Sequence, residues 1–421
     1  MHPSRLFRPP RLKTYTPQFW LICLSTFLFF GSFNMMVPEL PGIVTRLGGA
    51  EYKGHVIALF TLTAGLSRPF SGKLADTVGR VPVMIIGSLV CVVCSLLYPL
   101  TTSVAAFLGL RLLHGFSTGF KPTGTAAFLA DLIPADRRGE AMGLLGIAGN
   151  LGMAAGPAVG GWLAQQVSLN AMFLASSGAA LLSVLVMGRI RETLPVPQRQ
   201  RFRLGLLRIR ANEIIEPAVL GPALVMLLTV VPYGIMLTLI PDLSDRLGLA
   251  NRGTFFTVFT VASLAVRFGS GRVSDRYGRV LVLKVSSALL VVAMGLIAVA
   301  HSVPALLTAA VVFGVGVGMN SPTVYAWAID WSHDARRGRA LATAYLALEI
   351  GIGVGALLAG ALAGTNAARV GLAFWVGAGA SALAFGVLFL PWRRRPDLAD
   401  EIVAELTPGP GPATAPRQTK Q

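Results

Sequence analysis

The segment RPFSGKLADTVGR at residues 68–80 recurs 199 positions later as RFGSGRVSDRYGR at residues 267–279. Both copies begin with arginine and share the pattern Gly-x3-Asp-x2-Gly-Arg. The same shift superposes residues far outside this motif: Gly119 on Gly318, Asp131 on Asp330, and Gly152, Gly156 and Gly161 on Gly351, Gly355 and Gly360. Self-similarity over so long a stretch indicates an internal structural repeat. The chain is therefore expected to fold as two copies of one unit.

The composition indicates that both copies lie in a membrane. Hydrophobic residues make up 54% of the chain and charged residues 13%, whereas a soluble domain carries roughly 25% charged residues. Apolar runs of about 20 residues, long enough to cross a hydrocarbon core as helices, recur along the chain. We predict an all-α polytopic membrane protein with twelve transmembrane helices in two pseudo-symmetric six-helix bundles. The predicted spans are 19–41, 54–75, 81–100, 103–129, 140–164, 169–188, 217–241, 253–274, 280–301, 304–329, 339–364 and 369–390.

The net charge of +17 is a topology signal because the basic residues concentrate in alternate segments between spans. The opposite segments carry only Arg46, Lys53, Arg246, Arg252 and Arg369. This pattern argues against nucleic-acid binding and predicts a multi-pass protein of the plasma (bacterial inner) membrane with both termini in the cytoplasm.

The predicted domain organisation follows from the spans. Residues 1–188 form the N-terminal bundle and residues 217–392 the C-terminal bundle. Residues 189–216 form a basic cytoplasmic linker. Residues 393–421, rich in Pro, Gly, Ala and Thr, are expected to be a disordered cytoplasmic tail. A monomer surrounded by lipid is expected.

The two copies of the opening motif resemble the signature loop of the major facilitator superfamily, and the resemblance covers residues 19–392. It implies twelve helices, alternating access by rocking of the two bundles, and a latch at the cytoplasmic side. The motif residues in this chain are Gly72, Asp76, Gly79 and Arg80, with the copies Gly271, Asp275, Gly278 and Arg279. Their glycines permit a tight turn, and the arginines anchor the cytoplasmic face.

A second motif resembles the one that marks the family's antiporters, particularly the twelve-helix multidrug-efflux branch. It comprises Gly152, Gly156, Pro157, Gly160 and Gly161 in the fifth span. The resemblance implies export by antiport. The alternative is a seam of small residues that only allows close helix packing.

Charged residues present in one half alone are the candidates for proton and substrate chemistry. Under the shift, Arg111 meets Ala310, His114 meets Phe313, Lys121 meets Asn320, and Glu349 meets Asn150. An ion in the membrane centre costs about 2.5 to 3.5 kcal/mol, so each should face a wet cavity or a partner. The duplicated pairs Arg68/Arg267 and Asp131/Asp330 are interpreted instead as structural contacts near the cytoplasmic loops.

Glu349 is the predicted proton carrier. It lies roughly 15 Å into the eleventh span, near the bilayer midplane. The alternative is a neutral acid hydrogen-bonded between helices. Arg111, in the pattern Arg111-x3-Gly115, resembles a family motif whose arginine is linked to proton transfer, and it is expected to modulate Glu349.

The remaining candidates are polar or aromatic residues of a cavity between the bundles: Asn34, Glu39, His114, Lys121, Tyr233, Asn320, Tyr325 and Trp327. Three of them have alternatives. His114 can be a packed histidine, Lys121 can reach the cytoplasmic interface, and Glu39 can simply meet water at the outer end of the first helix.

The sequence thus predicts a proton-coupled secondary active transporter, an antiporter that exports a small drug-like, anionic or zwitterionic organic molecule. The alternatives are a proton symporter that imports an organic anion, sugar or peptide, and a non-transporting membrane sensor. No enzyme motif, metal cluster or phosphate-binding loop is visible in the sequence. No cofactor is expected, and the proton gradient is the expected energy source.

Overall fold

The computed structural model describes residues 15–134, 137–207, 215–332, 336–363 and 369–391. The predicted tail at residues 393–421 lies outside these residues, as does the linker segment 208–214. The domain boundaries given above therefore stay predictions.

Thirteen α-helices make up the described chain, together with short 3-10 turns. The first half contains α1 (Pro17–Met36), α2 (Leu40–Arg46), α3 (Lys53–Thr77), α4 (Arg80–Leu97), α5 (Val104–Leu132), α6 (Arg138–Gln166) and α7 (Leu169–Met187). The second half contains α8 (Leu220–Arg246), α9 (Gly253–Tyr277), α10 (Arg279–Ala298), α11 (Val303–Trp331), α12 (Arg337–Ala363) and α13 (Val370–Val387). The predicted all-helical fold is confirmed.

Helix ends follow local sequence rules in both halves. Ser103 and Ser302 cap α5 and α11 at equivalent positions, each accepting a hydrogen bond from a backbone N–H three residues later. The turns after α3 and α9 use Gly79 and Gly278, whose φ angles of 145° and 88° lie in the region that favours glycine. The two signature glycines therefore make these turns possible.

The helix packing repeats in the two halves. In the first half α1 packs on α6 and α7, and α5 packs on α3 and α4. In the second half α8 packs on α12 and α13, and α11 packs on α9 and α10. Between the halves, α3 packs on α12 and α6 packs on α9. These two inter-half contacts exchange under the 199-residue shift, as a pseudo-two-fold axis requires.

Most of the long helices are apolar enough to span a membrane. Among the described residues nine pass a test of length and hydropathy, or ten if α9, bent by 50° between Arg267 and Gly269, counts as one span. The helices α3 and α5 fall short of that test and carry charged side chains such as Arg68 and Arg111. The count of twelve spans stays a prediction for these two.

Candidate functional site

A cavity of about 1090 Å³ lies between the two halves. Residues of α1, α3, α5 and α6 line it from one half, and residues of α8, α9, α11 and α12 line it from the other. Aromatic side chains form much of the wall: Phe30, Phe33, Phe60, Tyr233, Phe259, Tyr325 and Tyr345. The volume is just above the range of about 300 to 1000 Å³ that is typical of pockets for drug-sized molecules, so such a molecule would fit.

Among the described residues, the cavity lining extends to one face of the protein and ends inside it toward the other. At one end it is lined by Gly72, Asp76 and Arg339, next to the signature loops, and the Asp76 side chain is 71% exposed. We call this end the signature-loop face. The cavity extends from there as far as Val37 and Leu237.

The opposite end of the molecule is closed by contacts between the halves. Lys53 pairs with Asp242 at 2.6 Å, and Arg252 pairs with Glu39 at 2.6 Å. Each pair joins a residue of the first half to a residue of the second. We call this end the clamp face.

Arg252 lies outside the helices and holds two carboxylates. Its Nη1 donates to Glu39, while Nε and Nη2 donate to Asp245 at 2.7 and 2.6 Å. The hydrogen bonds to Asp245, and then the charge of Glu39, raise the pKa of Arg252 against the opposing effect of burial. Arg252 therefore stays a cation in the clamp.

Glu349 lies in the cavity and spans the two halves through an ion pair. Its Oε1 accepts a hydrogen bond from Arg68 Nη2 at 2.7 Å, and the two side chains are 8% and 16% exposed. The Arg68 guanidinium also lies 4.6 Å from the centre of the Tyr345 ring. Tyr345 in turn packs on Tyr325 with ring centroids 4.7 Å apart.

The position of Arg68 corrects the sequence interpretation. Both copied arginines, Arg68 and Arg267, line the cavity rather than serving as contacts of the loops. Conservation of a residue between the halves places it at equivalent depth in each bundle, and that depth here is the cavity. The repeat alone does not link Arg68 to Glu349; their contact appears only in the structure.

Arg111 also lines the cavity but does not contact Glu349 in the structure. Its Nε donates to the Val56 carbonyl at 2.9 Å, and its guanidinium lies 4.4 Å from the centre of the Phe60 ring. Its Nη1 is 3.4 Å from the Tyr98 hydroxyl. The structure therefore brings Glu349 together with Arg68 and leaves Arg111 in a separate cluster.

The other predicted cavity residues divide into two groups. Asn34, Tyr233, Asn320 and Tyr325 line the cavity. Asn320 Nδ2 donates to Thr229 at 2.8 Å, while its Oδ1 is buried and has no hydrogen-bond partner in the described part of the chain. Asn34 Nδ2 donates to the Phe30 carbonyl at 2.8 Å.

His114, Lys121, Trp327 and Glu39 lie elsewhere. His114 bridges the Tyr98 hydroxyl and the Cys91 sulfur at 3.2 and 3.3 Å in the core of the first half. Lys121 donates to Ser25 Oγ at 2.6 Å and is 1% exposed. Trp327 packs edge-on against Trp331, and Glu39 belongs to the clamp.

The signature motif forms equivalent ion pairs in both halves. Arg80 pairs with Asp76 and Asp131, both at 3.1 Å. Arg279 pairs with Asp330 at 2.9 Å and with Asp275. Each pair lies within one half. The pairs connect the start of α4 to α3 and α5, and the start of α10 to α9 and α11.

The glycine motif of α6 is a packing seam. A Cβ on Gly152, Gly156 or Gly160 would overlap the backbone of α1, and one on Gly161 would overlap Asn251. The carbonyl of Pro157 lies against Gly253 of the other half. The motif thus contributes to closure at the clamp face as well as to packing within its own half.

Comparison with known proteins gives a consistent result. The family model described as Major Facilitator Superfamily matches residues 22–269 and 223–417. Multidrug resistance protein MdtG of Serratia proteamaculans (strain 568) is 28% identical over 303 residues, which are 68% of this chain and 74% of that protein. Multidrug resistance protein 2 of Bacillus subtilis (strain 168) is 28% identical over 186 residues, 44% of this chain and 46% of that protein. The chain thus spans about half the length of this Bacillus relative.

A solved structure shares the fold. The crystal structure of a D-xylose-proton symporter covers 89% of this chain and 97% of its own, with a TM-score of 0.74 and 14% identity. At this identity the likeness concerns the fold alone.

Proposed function

The chain belongs to the major facilitator superfamily, and we propose that it is a proton-coupled antiporter that exports a small organic molecule by alternating access. The observation that carries the proposal is the ion pair between Arg68 and Glu349, which joins the two halves inside the cavity. The names of the multidrug resistance relatives support export as the direction of transport.

Glu349 is the proposed proton site because it is buried and because it makes a contact between the two halves. It is buried and lies on α12, which packs against α3 of the other half. Protonation neutralises the carboxylate and removes its attraction for Arg68, so the charge state of Glu349 is tied to a contact between the halves. An antiporter also needs proton and substrate to exclude one another, and a donor or cationic group of the substrate bound at Glu349 meets that need.

The closed clamp and the open opposite end support alternating access. The basic residues of the signature-loop face support a cytoplasmic position for it under the positive-inside rule. The structure then corresponds to a state open to the cytoplasm, with both termini inside and the protein integral to the plasma (bacterial inner) membrane. Release of the substrate outside requires the ion pairs of the clamp, such as Arg252–Glu39, to separate.

The cavity supports a drug-sized substrate with an aromatic body that is anionic or zwitterionic. Its wall combines aromatic rings with several guanidinium groups, including Arg68, Arg111 and Arg267. Stacking on rings and charge-assisted hydrogen bonds to arginine would both contribute to binding. The proposed protein works as a monomer without a cofactor, and the proton gradient supplies the energy.

The test is transport in proteoliposomes under an imposed pH gradient of either sign. Cationic, anionic and zwitterionic aromatic solutes are compared for the unmodified protein, Glu349→Gln and the control Glu51→Gln, an exposed acid outside the cavity. Antiport predicts solute accumulation in the direction opposite to proton flow, lost in Glu349→Gln and kept in the control. Normal coupling in Glu349→Gln would contradict the proton-site assignment, and no transport of any solute would favour a sensor.

A proton symporter that imports an organic anion is the second candidate, and the same ion pair favours it in one respect. If protonation of Glu349 releases Arg68 to bind an anion, proton and substrate bind together instead of competing. The two candidates predict opposite pH dependences of substrate binding and opposite directions of solute flux relative to protons. Symport predicts tighter substrate binding as pH falls and solute flux in the direction of the protons, whereas antiport predicts weaker binding as pH falls and opposed fluxes.

A further inference from the structure

The repeat relates the Arg68–Glu349 ion pair to a second place in the cavity. The 199-residue shift carries Arg68 onto Arg267 and Glu349 onto Asn150. It also exchanges the α3–α12 contact with the α9–α6 contact, and Arg267 belongs to α9 and Asn150 to α6. The cavity therefore contains two equivalent half-sites, and only one of them has a carboxylate.

Arg267 has no carboxylate to neutralise it. Among the described residues no Asp or Glu oxygen lies within ion-pair distance of its guanidinium, and its Nε is buried without a hydrogen-bond partner. Asn150 lines the cavity, but its Nδ2 already donates to the Gly146 carbonyl at 2.7 Å. A neutral amide cannot balance the arginine charge.

Among the described residues, the surroundings of Arg267 are aromatic rather than acidic. The phenols of Tyr233, Tyr325 and Tyr345 are its electrostatic neighbours, and all three line the cavity. The basic residues of the whole wall are Arg68, Lys73, Arg111, Arg267 and Arg339, against the acids Asp76 and Glu349. An uncompensated guanidinium among aromatic groups is costly when the cavity is empty, and an incoming anion removes that cost.

We propose that Arg267, which lines the cavity together with Asn150, binds a carboxylate of the transported molecule, and that this carboxylate takes the place that Glu349 occupies in the equivalent half-site. The planar guanidinium has the geometry for two parallel hydrogen bonds to a carboxylate. The substrate class is then an aromatic organic acid, either an anion or a zwitterion whose cationic group can reach Glu349. This inference rests on the proposed function, because it names the substrate class of the same cavity.

The first measurement is binding to the purified full-length protein by calorimetry, without any proton gradient. The probes are 1-naphthoate, its uncharged isostere 1-naphthamide, and 1-naphthylmethylammonium. The charge-assisted contact predicts that naphthoate binds about tenfold or more tightly than naphthamide. Equal affinities, or preference for the ammonium compound, would overturn the proposal.

The second measurement uses a variant that supplies the missing acid. Asn150→Glu gives Arg267 an internal partner equivalent to Glu349 and is expected to weaken naphthoate binding about tenfold or more while leaving naphthamide unchanged. Asn150→Gln is the matched control and should retain naphthoate binding. If Asn150→Glu does not fold, Arg267→Gln must lose naphthoate binding and Arg267→Lys must keep part of it. Undiminished naphthoate binding in Asn150→Glu or in Arg267→Gln would refute the site.

The outcomes separate this inference from the proposed function. Binding is measured without a gradient, so a failure of proton coupling at Glu349 leaves the Arg267 result intact. Conversely, proton-coupled transport of solutes that lack an acidic group, unaffected by Asn150→Glu, would overturn the Arg267 site and leave the antiporter standing.

Discussion

Two equivalent glycines close the clamp face, and enlarging either should shift the protein toward the state open on that side. A Cβ on Gly54 would overlap the carbonyl of Ala356, and a Cβ on Gly253 would overlap the carbonyl of Pro157. The 199-residue shift carries one contact onto the other. Each joins one half to the other through backbone atoms, which cannot move aside as a flexible side chain can.

The size of the effect follows from overpacking. Forcing a methyl group into a close-packed contact costs about 1 to 3 kcal/mol. Because this contact exists only while the clamp face is closed, the cost raises the free energy of that state alone. The equilibrium should therefore shift toward the open state about 5- to 150-fold for Gly54→Ala or Gly253→Ala.

The assay is electron-electron distance measurement between spin labels at the clamp face. Thr102 and His301 are exposed, equivalent under the shift, and lie in the loops before α5 and α11. In a background without the native cysteines, labels at these positions should show a longer distance component that grows in Gly54→Ala and in Gly253→Ala.

Gly109→Ala is the matched control. Gly109 lies in α5 with no atom within 4 Å of the Cβ that an alanine would add. The change adds the same methyl group to a helix without the overlap. An unchanged distance distribution in both test variants, or an equal shift in Gly109→Ala, would refute the reasoning.

Two further predictions concern stability, measured as the thermal unfolding of the purified protein. Arg252→Gln leaves the nearly buried Glu39 carboxylate without its cation and should destabilise the protein by about 1 to 3 kcal/mol. The double variant with Glu39→Gln should recover part of this loss of stability. No recovery would argue against a direct interaction between the two residues. Glu192→Gln removes a carboxylate that accepts hydrogen bonds from the backbone N–H groups of Arg80 and Val81 at 3.1 and 2.9 Å. The loss should lower the stability of the protein by about 0.5 to 2 kcal/mol. An unchanged melting temperature would show that water replaces the carboxylate.

The fold was predictable because membrane helices are encoded by long apolar runs and because the repeat links the two halves. The predicted spans agree with the helices to within a few residues, from α1 to α13. The break of the first span into α1 and α2 was not anticipated; Pro38 and Pro41 lie at the junction, and proline lacks the backbone N–H that a helix interior requires.

The candidate site was predictable only in part, since a span does not reveal which of its faces meets the cavity. In α5, Arg111, Thr118 and Pro122 line the cavity. At 100° per residue, His114 and Lys121 fall about 60° and 80° to one side of Arg111, toward the core of their own bundle. Both residues were unpaired in the repeat and chemically suitable, yet the helix turns them away.

The charged contacts of the clamp follow the internal repeat, whereas the charged residues of the cavity do not. Lys53 and Arg252 are equivalent under the shift, and each reaches across to an acid of the other half, Asp242 or Glu39. The shift carries Asp242 to position 43, about one helical turn from Glu39. Balanced contacts on both sides of the axis are what the proposed rocking of two similar bundles would require. The proposed coupling to a proton and a substrate has no such symmetry, because the two ligands differ, and the cavity carries Glu349 on one side and Asn150 on the other.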